Sequence, residues 1–177
     1  MAREEETRMR EAIKGVLKER YVEVPYNAEL AGKGYGERDG ENLLLNLCEA
    51  AYLLDRGDLI IIDNSGEKIS FEGIVTIGAK IDPDFWMKLL VYSDLRNRGL
   101  QAKVISGSQP VIVMDKKTKE GEKRYLIICL EEGKRVGFKE VEVFIRRALE
   151  ARRELITAIV DKEGNISYYK VDKVMGV

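Results

Sequence analysis

Histidine is absent from all 177 residues, which removes the commonest general base near neutral pH and every nucleophile–histidine pairing. Acid and base roles therefore fall to Tyr, Lys, Asp or Glu. The two thiols, Cys48 and Cys129, both sit inside apolar stretches and read as reduced packing residues, too few for a structural zinc site. Asp82, Asp84 and Asp94 invite a metal-site reading, but Asp82 is better used as a helix cap and Asp94 as part of a helix surface. The run carrying Gly32, Gly34, Gly36 and Gly40 lacks the Walker spacing and does not join a strand to a helix, so no phosphate cradle is expected there. Two basic clusters remain. Lys116, Lys117, Lys119, Lys123 and Arg124 form one, and Arg146, Arg147, Arg152 and Arg153 the other. Glu120, Glu122, Glu150 and Glu154 interleave with them, so a solvated charged surface is the plainer reading and RNA-phosphate contact the sharper one.

Thirty basic residues against 31 acidic ones leave a net charge of -1, which argues against nucleic-acid binding through an overall positive field. With 45% hydrophobic and 34% charged residues and only three prolines, the chain can bury a core and is neither disordered nor fibrous. No run approaches the ~20 apolar residues of a membrane span, and the opening MAREEETRMR is too acidic for a signal or transit peptide. A cytoplasmic protein with no membrane partner is expected. Abundant Glu, Lys and Arg beside two glutamines fit a thermophilic host.

The elements that must position these residues follow from periodicity. Met9, Ile13, Val16 and Leu17 predict an amphipathic helix from Glu4 to Arg20, followed by a short strand from Tyr21 to Val24. Leu47, Ala50, Ala51 and Leu54 line one face of a helix with Asn46 as N-cap, Glu49 completing a capping box, and Gly57 as the stop. Asp58 to Ile62 reads as a strand, with Ile69 and Phe71 as the returning edge of a hairpin, and Ser70 caps a helix ending near Lys80. Asp82-Pro83 sets the start of a long helix closed by Gly99; Phe85, Leu89, Tyr92 and Leu95 form its apolar stripe, with Trp86 placed in the core. Strands are expected at 102–105, 111–115 and 125–130, then a helix over 139–153 presenting Val143, Ile145, Ala148 and Leu149, then a closing hairpin whose last strand runs from Ile166 to Val174. The fold class is α+β. A small N-terminal α/β domain, residues 1–80, precedes a C-terminal mixed β-sheet domain flanked by helices, residues 82–177.

Three segments then carry a specific likeness: YGERDGENLLLNLCEAAYLLDRG, KIDPDFWMKLLVYSDLRNRGLQAKV and LITAIVDKEGNISYYKV. In this order they resemble the archaeal tRNA-splicing endonucleases over residues 33–177. VYSDLRNRGL is similar to that family's Tyr-x-Asp-Leu-Arg-x-Arg-Gly signature, and the closing hairpin is nearly as telling; neither is catalytic. The resemblance implies a nuclease-like, restriction-endonuclease-like C-terminal domain and RNA cleavage that needs no metal or cofactor. A Tyr, His and Lys trio deprotonates a ribose 2′-hydroxyl, protonates the leaving oxygen and steadies the phosphorane, leaving a cyclic phosphate. Laid on this chain, the three positions fall on Met114, Glu122 and Arg153, or on Arg152 if the register slips. A thioether cannot replace a phenol, a glutamate repels phosphate, and an arginine cannot shuttle protons.

The chain is therefore expected to resemble the non-catalytic structural subunit of the crenarchaeal heterotetrameric (αβ)2 enzyme, partnered by a His-containing catalytic subunit and meeting precursor tRNA through the complex. The resemblance also places the assembly contacts in the turn Asp161, Lys162, Glu163, Gly164 and Asn165. The last strand adds Ser167, Tyr168, Tyr169, Lys170 and Val171. An active nuclease using displaced Tyr, Lys or carboxylate groups and a stand-alone RNA-binding module are the alternatives.

Overall fold

A computed structural model describes residues 12–105 and 111–171. Its first sheet contains β1 (Ile13–Leu17), β2 (Tyr21–Pro25), β3 (Glu37–Asp39), β4 (Asn42–Asn46) and β5 (Leu59–Ile62), in the order β3-β4-β2-β1-β5. β1 is antiparallel to β2 and parallel to β5. The helix expected over Glu4–Arg20 is thus corrected at residues 13–17, which form an interior strand; residues 4–11 lie outside the described part. Gly15 shows why the spacing misled. A Cβ at this position would stand 2.6 Å from Val22 Cγ1, so the residue that weakens a helix here is the one the packed sheet requires. A short helix, α1 (Ala28–Gly32), ends at the first glycine of the glycine-rich run, which leads on into β3.

Local signals were obeyed where they were purely local. α2 (Leu47–Asp55) starts at Asn46, whose side chain accepts from Glu49 N while the Glu49 carboxylate accepts from Asn46 N. Ser70 caps α3 (Phe71–Ile81) by accepting from Gly73 N. The hairpin expected after β5 is reduced to one bridge, Ile62 to Lys68, because Phe71 enters the helix instead of a returning strand.

α4 (Phe85–Asn97) begins later than Asp82-Pro83 suggests, and Asp84 occupies its N-cap position without a side-chain bond. Asp82 has other work: its carboxylate accepts from Asp84 N at 3.0 Å and from Lys88 Nζ at 2.6 Å. The Lys88 side chain is 2% exposed, so Asp82 is the counter-ion of a buried cation. Phe85, Leu89, Tyr92 and Leu95 are buried as the stripe requires, but Trp86 is 49% exposed and belongs to the surface, not the core.

The second sheet holds β6 (Gln101–Val104), β7 (Val111–Thr118), β8 (Gly121–Glu131), β9 (Glu154–Val160) and β10 (Ile166–Val171), in the order β10-β9-β8-β7-β6. Only β8 and β9 run parallel, joined through α5 (Phe138–Glu150); the other neighbours are antiparallel. The expected extension of β10 to Val174 falls outside the described residues. α5 buries Phe144 and Ala148, whereas Val143 and Leu149, expected to face the sheet, are 48% and 60% exposed.

The two faces of this sheet bury different side chains. Ile112, Met114, Ile127, Cys129 and Ala158 join the α4 stripe in a core that also includes Val22, Leu45 and Ala50 from the first half. Val111, Leu126, Ile128 and Leu155 pack with Phe144 and Ala148 of α5 in a smaller cluster.

Gly78 sits where α3 meets the start of α4, and a Cβ there would come within 2.5 Å of the Phe85 ring. Gly78→Ala is therefore expected to displace Phe85 and lower stability by about 1–3 kcal/mol. The measurement is the urea midpoint, which should fall with an unchanged denaturant slope.

Candidate functional site

The end of α4 gathers side chains from both halves. Arg96 is buried, with its guanidinium carbon 3.7 Å from the Tyr35 ring centroid, and its Nη2 donates to the Lys33 carbonyl at 2.9 Å. Tyr92 packs edge-on against Tyr52, which stacks with Tyr35. A cleft of about 560 Å³ opens beside them, lined by Lys33, Tyr35, Tyr52, Arg56, Arg96 and Gln101. Its outer cations have partners: Lys33 meets Glu29 at 2.7 Å and Arg56 meets Asp58 at 2.9 Å. Asp94 receives Arg98 through two bonds and also accepts the Tyr168 hydroxyl at 2.7 Å. Burial, then the Asp94 carboxylate, push the Tyr168 hydroxyl well above the usual phenol range. The VYSDLRNRGL segment thus ties the first half, α4 and β10 together.

The positions matched to the catalytic trio do not meet at one point. Met114 faces α4 and is buried in the larger core. Its neighbour Asp115 points to the other face, where Arg153 Nη1 donates to its carboxylate and to the Tyr125 carbonyl. The Arg153 side chain is only 10% exposed, and Arg152 before it has a φ of +52°. Glu122 is exposed and pairs in register with Lys117, about 7 Å beyond the Asp115–Arg124 pair. So Arg153 is neutralised by Asp115, a residue without any signal in the sequence beyond standing next to Met114. Cys48 and Cys129 are buried, and desolvation raises both thiols, Cys129 to about 12, which leaves them as packing groups. Among the described residues no three His, Cys, Asp or Glu side chains are grouped to hold a metal, and Asp82 and Asp94 are engaged by Lys88 and Arg98.

The residues of the expected assembly surface separate by role. In the β9–β10 turn, Asp161 Oδ1 accepts from the backbone N–H groups of Glu163 and Asn165, and its Oδ2 accepts from Asn165 Nδ2. Asp63 holds the turn after β5 in the same way, accepting from Ser65 N and Glu67 N. Asp161 is therefore a staple of its own turn, and Gly164 supplies the φ of +85° that closes it. Lys162 and Glu163 stand at the tip, both exposed. Along β10, Tyr168 turns inward to Asp94, Lys170 meets Glu154 at 3.2 Å, and Ser167 and Tyr169 are exposed. β10 is an edge strand of its sheet among the described residues.

The hydrogen bonds to its carboxylate hold Asp161 below the usual carboxylate range. A depressed acid contributes fully above its unfolded value of about 3.9 and loses that contribution as pH falls through the lower folded value. Protection of the Glu163 and Asn165 amides, as the exchange rate relative to the intrinsic rate at each pH, is accordingly expected to fall only below about pH 4 in the native chain. It should be low already at neutral pH in Asp161→Ala and unaltered at Asn165 in Glu163→Ala.

The comparisons with known proteins agree with these two halves. A family model described as the tRNA intron endonuclease N-terminal domain matches residues 13–75, and one described as the tRNA intron endonuclease catalytic C-terminal domain matches residues 85–168. The tRNA-splicing endonuclease of Pyrococcus furiosus is 36% identical over 141 residues, covering 79% of this chain and 81% of the relative. That of Thermococcus onnurineus is 32% identical over 140 residues, covering 79% and 81%. That of Methanococcus vannielii is 33% identical over 146 residues, covering 81% and 82%. Both halves matched in order, with relatives aligned over four fifths of the chain, make it a member of the tRNA intron endonuclease family.

Proposed function

We propose that this chain works in tRNA splicing as a structural subunit, positioning His-bearing catalytic subunits of its own family in an (αβ)2 complex that excises introns from precursor tRNA. One observation carries the reading: a family whose cleavage uses a Tyr, His and Lys trio is represented here by a chain with no histidine at all. The side chains at the other matched positions support it. Met114 has no exchangeable proton, and Arg153 is both permanently charged and tied to Asp115. Neither can accept the 2′-hydroxyl proton or return one to the leaving oxygen.

What remains for such a subunit is geometry. Fixing two active centres at the separation of two cleavage sites supplies orientation that neither centre has alone. The surfaces that support this are the edge of β10, unpaired among the described residues, and the tip of its turn. An exposed edge strand offers backbone groups to a partner strand, and Glu163 at the tip offers a carboxylate to a basic cleft. Asp161 contributes by keeping the tip in shape.

The purified chain is expected to leave an intron-containing precursor tRNA uncut, with and without magnesium. Cleavage should follow addition of a His-bearing family member, and native mass spectrometry should weigh two copies of each chain. Metal-independent cutting by the chain alone would reject the proposal. Glu163→Lys, which leaves the Asp161 staple intact, is expected to weaken assembly several-fold at low salt and less at 0.5 M salt. An unaltered assembly constant would remove Glu163 from the interface.

A further inference from the structure

The strand register leaves the far end of the β7–β8 hairpin outside the sheet. β6 ends against Asp115, through the Gln101 pairing, and β9 starts against Tyr125, through Glu154. Among the described residues, 116–124 therefore form a two-stranded ribbon whose strands pair only with each other. Alternation assigns their side chains to two faces.

On the α5 side the cross-strand pairs are matched in charge. Asp115 stands opposite Arg124, with 3.9 Å between Oδ1 and Nε, and Lys117 stands opposite Glu122. On the α4 side the residues continuing from Met114 and Tyr125 are Lys116 and Lys123, placed directly opposite each other. Like charges in this position disfavour the hairpin that carries them. Among the described residues the counter-ion in reach is Glu120, 3.9 Å from Lys123 Nζ and itself 85% exposed, which compensates one lysine weakly. Hairpin stability accounts for the α5 face and not for the α4 face.

We propose that Lys116 and Lys123 form a clamp for one phosphodiester of RNA, the anion between two ammonium groups removing the repulsion that the ribbon otherwise bears. Directly opposed residues have Cβ atoms about 5 Å apart, and lysine side chains of that spacing reach the two free oxygens of one phosphate. Lys116 and Lys123 are both exposed, so an RNA backbone can reach them. The choice of RNA over an acidic protein surface rests on the function proposed above; the opposed lysines themselves do not.

The experiment uses the full chain and a fluorescein-labelled 16-base-pair RNA hairpin, with affinity followed by anisotropy across a series of KCl concentrations. Lys116→Ala/Lys123→Ala is expected to bind about tenfold more weakly at 0.1 M salt and to lower the slope of log affinity against log salt by about 1.5, the share of two phosphate-neutralising cations. Its melting temperature should be equal to or above that of the native chain, because a like-charge pair is gone. Lys117→Ala/Arg124→Ala removes the same net charge from the other face and is expected to shift the slope by less than about 0.5. Equal slope losses in the two double variants, or none in the first, would overturn the clamp. So would unchanged RNA binding together with weakened assembly with the His-bearing subunit, which would assign the lysines to a protein. Cutting of precursor tRNA by the chain alone would refute the structural-subunit reading and leave the slope comparison intact.

Discussion

Arg96 is the constraint around which the molecule is arranged. Its charge is taken out of water against Tyr35 and the Lys33 carbonyl, 63 residues away in sequence, and a buried guanidinium is tolerated only where its donors and its π-face are both engaged. That single side chain holds the C-terminal end of α4 against the loop between α1 and β3. Two residues before it, Asp94 grips β10 through Tyr168, 74 residues on, and is itself steadied by Arg98. The last strand is thus located relative to the first sheet through two residues of one helix turn. In the proposed assembly, the same turn sets where β10 meets its partner.

How much of this was legible depended on distance along the chain. The Asn46–Glu49 capping box and the Ser70 cap close over three residues and could be read directly. β1 could not. Ile13, Val16 and Leu17 fit a helical period, and what makes them a strand is pairing with β2 and with β5, which lies more than 40 residues downstream. Asp82 misled for a related reason: its type and the following proline mimic a helix start, while its actual partner is the buried Lys88. Trp86 reads as core because it stands beside the apolar stripe of α4, and that stripe fills the core without it.

The candidate site shows the same division. That histidine is missing is a matter of composition and open to view. That the positions matched to the catalytic trio fall on opposite faces of one sheet is not, because it requires the β7–β8 register and the partition of the two apolar clusters. Asp115 carries no motif, yet it determines what Arg153 can do. The turn Asp161–Asn165 is expected as an assembly contact in all five residues, whereas one of its two carboxylates is spent on the backbone. Both domains of the family are matched in this chain, and Arg153, expected at one of the proton-moving positions, is engaged in holding β7 through Asp115.

The larger apolar cluster, running without a break from Val22 in the first sheet to Val160 in the second, has an evolutionary corollary. Neither half can drift alone, since a change of volume at Leu45 or Ala50 is transmitted to side chains that also pack against α4. Relatives that lost or kept nuclease activity should therefore covary across this seam, and grafting one half onto a distant homologue should fail unless the matching half travels with it.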